Sequence, residues 1–266
     1  MKMINGLPVF ESGNSNNPTI FFVHGFLLDN TMWNYQIEFL KDKYYCVSYD
    51  FRGMGKSLVE DGQYTIEAFV DEIELILNEL KIEKTIICGL SMGGYISFRA
   101  VEKFYDRFNG AIFCDTRATA DSNQGKLKRA AAIKQINSEG LDSYVESFFP
   151  NIFGKKFKSI NSVAYEQHLN AAKKLNPIGV KGCQLAMMGR NDSLDFLPQI
   201  NFPVLAICGD EDSLTPPIEM KYFADKIPNC NFHIIKETGH MSPVEEPIIV
   251  NKIIGYSYLG FIRGNT

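Results

Sequence analysis

Short apolar runs alternating with amphipathic stretches constrain this chain more than any other feature. The runs at Thr19 to Val23, Tyr44 to Tyr49, Thr85 to Cys88, Gly110 to Cys114, Val204 to Cys208 and Asn231 to Ile235 lack polar alternation and are bounded by Gly, Asp or Pro. That is the pattern of strands buried on both faces. Helical stretches lie between most of them. The clearest is Thr65 to Leu80, where Ile66, Phe69, Val70, Ile73, Leu77 and Leu80 recur at helical spacing and Thr65 stands as N-cap. Strand and helix in alternation predict an α/β fold whose mostly parallel sheet is flanked by helices on both faces. Ahead of it, Lys2 to Glu11 is broken by Asn5-Gly6, which accepts the positive φ of a tight turn, and reads as a hairpin.

The alternation stops between Ala118 and Pro198. That stretch carries no convincing strand and reads as short helices rich in Ala, Lys and Phe. It predicts an inserted helical cap, residues 118–198, over a core built from residues 1–117 and 199–266. Net charge is only -4, and the basic residues are scattered apart from Lys126, Lys128 and Arg129, read as a solvated helix face. No nucleic-acid footprint follows. The opening MKMINGLPVF lacks a useful apolar run and nothing elsewhere is long enough to cross a bilayer, so the expectation is a cytoplasmic protein with no membrane association. Six cysteines without paired spacing, four of them inside apolar runs, are expected as free thiols.

Chemistry concentrates at Gly89-Leu90-Ser91-Met92-Gly93-Gly94, directly after one apolar run and before the helical run Tyr95 to Val101. A serine there sits on a sharp strand-to-helix turn, with glycines two positions to either side because side chains would strike neighbouring backbone. The turn presents the hydroxyl beside a helix amino terminus. Ser91 needs a base, and there are four histidines. His24 reads as a turn residue bonded to nearby backbone, and His168 and His233 as surface or half-buried positions. His240, in the loop Gly239-His240-Met241 after the last strand, is the candidate base. Its second ring nitrogen needs an acceptor to fix the tautomer, and Asp210, Glu211 and Asp212 follow the strand Val204 to Cys208. Asp212 is chosen, because a few residues must pass before a side chain can point back across the sheet edge. Acyl transfer also needs two oxyanion donors, for which Met92 N–H and Phe26 N–H are placed.

Trp33, Tyr95, Phe148, Phe149, Phe153, Met187 and Met188 could line an acyl pocket beneath the cap, though most read more readily as core. Arg117 could face a substrate carboxylate, but an ion pair holding the cap loop is the stronger reading. Arg52 to Ser57 has the look of a phosphate-binding loop, yet its first glycine would fall at Asp50, a carboxylate. No H-E-x-x-H, no Cys or His ligand spacing and no dinucleotide fingerprint occurs, so neither metal nor organic cofactor is implied.

With these residues in place, the chain resembles the α/β-hydrolase superfamily, most closely its small bacterial esterases and lactonases, near the pimeloyl-carrier-protein methyl ester esterases and 3-oxoadipate enol-lactonases. The phrases that carry it are HGFLLDNTMW from His24, YDFRGMGKS from Tyr49, CGLSMGGY from Cys88, CDTRATAD from Cys114, and GDEDSLTPP and TGHMSPVEEP near the end. The resemblance implies that Ser91, Asp212 and His240 match the family's triad and that Phe26 and Met92 match its oxyanion positions. The expected activity is hydrolysis of a small ester or lactone through an acyl-enzyme. Perhydrolysis, haloperoxidase-type activity and C–C bond hydrolysis are alternatives on the same chemistry, and a non-catalytic ligand-binding protein is the alternative from another class.

Overall fold

The computed structural model describes residues 1–259, so the last stretch of the expected core segment, residues 260–266, lies outside the described residues. The apolar runs join one eight-stranded sheet: β1 (Lys2–Ile4), β2 (Leu7–Ser12), β3 (Thr19–Val23), β4 (Tyr45–Tyr49), β5 (Thr85–Leu90), β6 (Phe108–Cys114), β7 (Val204–Gly209) and β8 (Cys230–Ile235). Their spatial order is β1-β2-β4-β3-β5-β6-β7-β8. The first two strands pair antiparallel, and β2 also meets β4 antiparallel; from β4 to β8 every pairing is parallel. The Asn5-Gly6 turn has φ 46 and 79, the left-handed geometry that a two-residue hairpin requires.

The helices are α1 (Asn34–Leu40), α2 (Ile66–Glu79), α3 (Met92–Lys103), α4 (Asn123–Glu139), α5 (Leu141–Phe148), α6 (Phe157–Ile160), α7 (Ser162–Lys173), α8 (Pro177–Met188), α9 (Pro217–Ala224), α10 (Ser242–Glu245) and α11 (Pro247–Lys252). In α2 the Thr65 hydroxyl accepts from Ala68 N at 3.2 Å, and Ile66, Phe69, Val70, Ile73 and Leu77 are buried. On that helix Glu72 is also buried, because Arg52 Nε donates to it at 2.9 Å across the interface. Helices α4 to α8 all fall between β6 and β7.

Strands β3 to β7 are buried along their whole length or nearly so, as a sheet covered on both faces demands. β8 departs from the expectation of a buried strand. Among the described residues it pairs only with β7, and Asn231 and Ile234 are exposed, because an edge strand has one neighbour and less cover. The chain runs outward from β3 to β4 and then returns to β5 on the other side of β3. Crevices at the carboxyl ends of parallel strands open where order reverses in this way.

Candidate active site

Ser91 follows the last residue of β5 and has φ 55, ψ -116, a conformation an L-residue adopts only under constraint. The constraint is close backbone packing. A Cβ on Gly93 would stand 2.3 Å from Val23 O and 2.5 Å from His24 O, and one on Gly89 would stand 2.5 Å from Gly93 O. The α3 amino terminus therefore presses against β3 and β5, Ser91 N donates to Cys114 O, and the Ser91 side chain is left half-buried. Helix α3 starts at Met92, three residues before the apolar periodicity begins. As its first residue, Met92 has an N–H without an intrahelical acceptor.

Three segments distant along the chain converge here. His240 Nε2 lies 2.8 Å from Ser91 Oγ, and His240 Nδ1 lies 2.8 Å from Asp212 Oδ2. The Asp212 carboxylate is saturated. Oδ1 accepts from Leu214 N at 2.8 Å and Thr215 N at 3.0 Å, and Oδ2 also accepts from Thr215 Oγ1 at 2.6 Å. Burial favours a neutral Asp212, but the His240 imidazole and the Thr215 donors outweigh it and hold the carboxyl below its ordinary range. Burial likewise favours a neutral His240, yet Asp212, and behind it Asp115, lift the imidazole above its ordinary value. Asp210 and Glu211, the other two acids of the loop, point elsewhere. Lys236 Nζ lies 3.4 Å from Asp210, and Lys155 N donates to Glu211 at 2.8 Å.

Three residues of this site were not among the expected ones. Thr215 bonds both Asp212 and His240 Nδ1, at 3.2 Å for the ring. Asp115, fully buried at the end of β6, accepts from Gly209 N at 3.0 Å through Oδ1 and from Ser242 N and Oγ at 3.2 and 2.5 Å through Oδ2. It thereby ties the strand before Asp212 to the residue two after His240. Burial pushes its carboxyl up to about 7. Glu245 Oε1 accepts from Gly239 N and Met241 N, bracketing His240, and Oε2 accepts from Gly154 N in the inserted segment. For Asp115 and Glu245 the sequence signals were acids in the phrases CDTRATAD and TGHMSPVEEP, and for Thr215 its place in GDEDSLTPP, with no partner visible.

A cavity of about 480 Å³ opens at Ser91 and His240, within the range of small-molecule sites. Phe26, Tyr95, Phe148, Met187 and Arg117 line it. Trp33 does not. It is fully buried against Phe22, ring centroids 5.3 Å apart, because the 3-10 turn Asn30–Trp33 directs it into the core rather than the cavity. Phe149 and Phe153 are core as well, packed on Tyr165. Arg117 forms its ion pair with Glu219 of α9 at 3.2 Å and donates to Leu214 O at 3.0 Å, so it braces the loop after Asp212 rather than the cap loop. Arg129 also departs from the expectation. Its Nε donates to Asp121 at 2.8 Å and its Nη1 to Gln184 at 3.2 Å, so it faces inward and is not part of a solvated helix face.

The remaining histidines have local structural partners where bonds are seen. His24 Nδ1 meets Gly25 O at 2.8 Å, its Nε2 accepts from Phe51 N, and its ring stacks on Phe51. His168 and His233 are half-buried. Asp50, which spoiled the phosphate-loop pattern, accepts from Asn30 N, Asn30 Nδ2 and Lys56 N, so it organises that turn itself.

A doubly wound sheet with a serine, a histidine and an aspartate meeting at one rim defines a class of protein, and comparison with known families agrees. Residues 18–247 match the family described as alpha/beta hydrolase fold, and the chain belongs to it. It is 26% identical over 242 residues to 3-oxoadipate enol-lactonase 2 of Acinetobacter baylyi, covering 91% of this chain and 89% of that protein. Among solved structures it superposes on a thermophilic esterase from Thermogutta terrifontis, in a malate-bound form, with TM-score 0.90 and 34% identity over 97% of this chain and 93% of that one. The enol-lactonase from Burkholderia xenovorans gives TM-score 0.88 and 25% identity, over 94% of this chain and 96% of that one.

Proposed function

We propose that this chain is a serine hydrolase that cleaves a small carboxylic ester or lactone by two-step acyl transfer. The observation that carries the proposal is the unbroken hydrogen-bonded line from Ser91 Oγ through both His240 ring nitrogens to Asp212. Ser91 Oγ attacks the carbonyl carbon while His240 Nε2 takes its proton; the tetrahedral intermediate collapses as the imidazolium returns that proton to the leaving oxygen. Water then repeats the sequence on the acyl-serine, releasing the acid and restoring Ser91. Asp212 holds the ring and stabilises its cation without taking the proton. Met92 N–H and Phe26 N–H act on the developing oxyanion. The names of the relatives, esterase and enol-lactonase, support the bond type.

Residues 118–198 act as the cap in this reading, over a core whose described residues are 1–117 and 199–259. Support comes from the cavity wall, which Ala132, Tyr144 and Phe148 share with Ser91 and His240. Residence in the cytoplasm fits six unpaired cysteines.

A fluorophosphonate probe and a panel of methyl, p-nitrophenyl and lactone substrates test the mechanism. The wild type should be labelled and should turn over an ester or lactone, and Ser91→Ala should lose both at unchanged melting temperature. Turnover retained by Ser91→Ala would remove the serine from the mechanism.

A further inference from the structure

Positive charge gathers around the Ser91 cavity. Arg117, Lys128 and Arg129 line it, and Arg190, with only 4% of its side chain exposed, lies behind Tyr95 with its guanidinium 4.1 Å from the ring centre. Two carboxylates answer these four cations. Glu219 pairs with Arg117. Asp121 is shared: Oδ2 accepts from Arg129 Nε at 2.8 Å and Oδ1 from Arg190 Nη1 at 2.7 Å. Lys128, exposed at the rim, has no ion-pair partner among the described residues.

A structural ion pair needs one cation for each carboxylate, and a buried surplus is costly unless something neutralises it. Here one guanidinium is left over inside, since Arg129 and Arg190 share Asp121, and the exposed ammonium of Lys128 adds its charge at the rim. The surplus is felt locally. Burial would raise the Tyr95 phenol, yet Arg190, Arg117 and Arg129 draw it below its ordinary value. A cleft with low-dielectric walls focuses such a field on whatever enters.

We infer that the substrate supplies the missing negative charge: an ester or lactone bearing a free carboxylate away from the scissile carbonyl, held by Arg129 and Lys128 while Ser91 reacts. This rests on the proposed acyl-transfer reading and names its substrate class. A planar guanidinium suits a carboxylate in two-point contact, and the mobile ammonium of Lys128 suits capture at the entrance.

The test compares kcat/KM for monomethyl glutarate and monomethyl adipate with that for methyl valerate and methyl hexanoate, their uncharged counterparts of equal acyl length, in a pH-stat at low salt. The half-esters should be preferred at least tenfold, and the preference should shrink with added salt. Lys128→Gln and Arg129→Gln should each cut the charged-to-neutral ratio at least fivefold. Lys126→Gln, the same change of charge on α4 at a position outside the cavity wall, should leave the ratio alone. Equal or better cleavage of the neutral esters, or a ratio unmoved by both variants, overturns the inference and leaves the esterase reading standing. If none of the four esters reacts, calorimetry decides. Glutarate binding to the wild type that weakens at least fivefold in Lys128→Gln supports the anion site without ester turnover, and no binding to the wild type overturns it. Should Arg129→Gln fail to fold, the exposed Lys128→Gln carries the comparison.

Discussion

Asp212 shows how far one side chain's role depends on what holds it. Its carboxylate accepts from two backbone N–H groups and one hydroxyl before it meets His240, so its orientation is fixed by the loop Leu214-Thr215 rather than by the histidine. Asp212→Asn should therefore keep the fold, because an amide oxygen can still accept from the backbone. The amide nitrogen would face His240 Nδ1 and force the wrong tautomer, and turnover should fall on the order of 10⁴-fold. Steady-state kinetics beside a thermal melt separates the two effects; a loss below about tenfold would contradict the assignment. Asp115 works differently, since it touches neither Ser91 nor the His240 ring in any bond seen here. It accepts from three donors, one at the end of β7 and two on the first residue of α10. In Asp115→Asn one amide face would turn a donor toward Ser242, so a stability loss of about 1–3 kcal/mol is expected in chemical denaturation.

At the scale of the element, the serine turn is a junction of close backbone contacts. Gly93 lets α3 start in contact with the carbonyls of Val23 and His24 at the end of β3. Gly93→Ala would push a methyl group against two backbone oxygens that cannot move aside, costing at least ~2 kcal/mol. Since β3 also leads into Phe26, activity should fall more steeply than melting temperature; an unshifted melt with full activity would mean that the junction is softer than its geometry. This junction was legible in the linear chain, because G-L-S-M-G-G between an apolar run and a helical one admits few conformations. The start of α3 was not, as Met92-Gly93-Gly94 shows no apolar period. Trp33 was misplaced for a related reason: an aromatic residue in a short turn gives no sign of whether it faces core or cavity. Asp115 could not be found at all from spacing, since its partners lie 94 and 127 residues away and only the sheet brings them together. The half-exposure of β8 was hidden too, because an edge position belongs to the strand order and not to the strand.

Across the whole molecule, a parallel sheet has one consequence that no single element has: all its carboxyl ends open at the same rim. Asp115 from β6, Asp212 from β7 and His240 after β8 are thereby gathered beside Ser91, and two buried carboxylates act on one imidazole. Burial alone would lower the His240 pKa; these carboxylates reverse the sign and raise it above 6.5. His240 must be neutral to accept the Ser91 proton, so the free enzyme is inactive in the protonated form and gains activity as pH rises through that pKa. The acid limb of kcat/KM should accordingly have its midpoint above 6.5. In Asp212→Asn the main raising charge is gone while burial remains, so the residual activity should show a limb displaced to lower pH, and Asp115→Asn should move it the same way by less. A pH–rate profile of the three proteins on one neutral ester checks the order. A wild-type midpoint at or below 6.5, or a limb in Asp212→Asn that stays where it was, would mean that the shared rim does not couple these groups and that His240 owes its ionisation to its own loop.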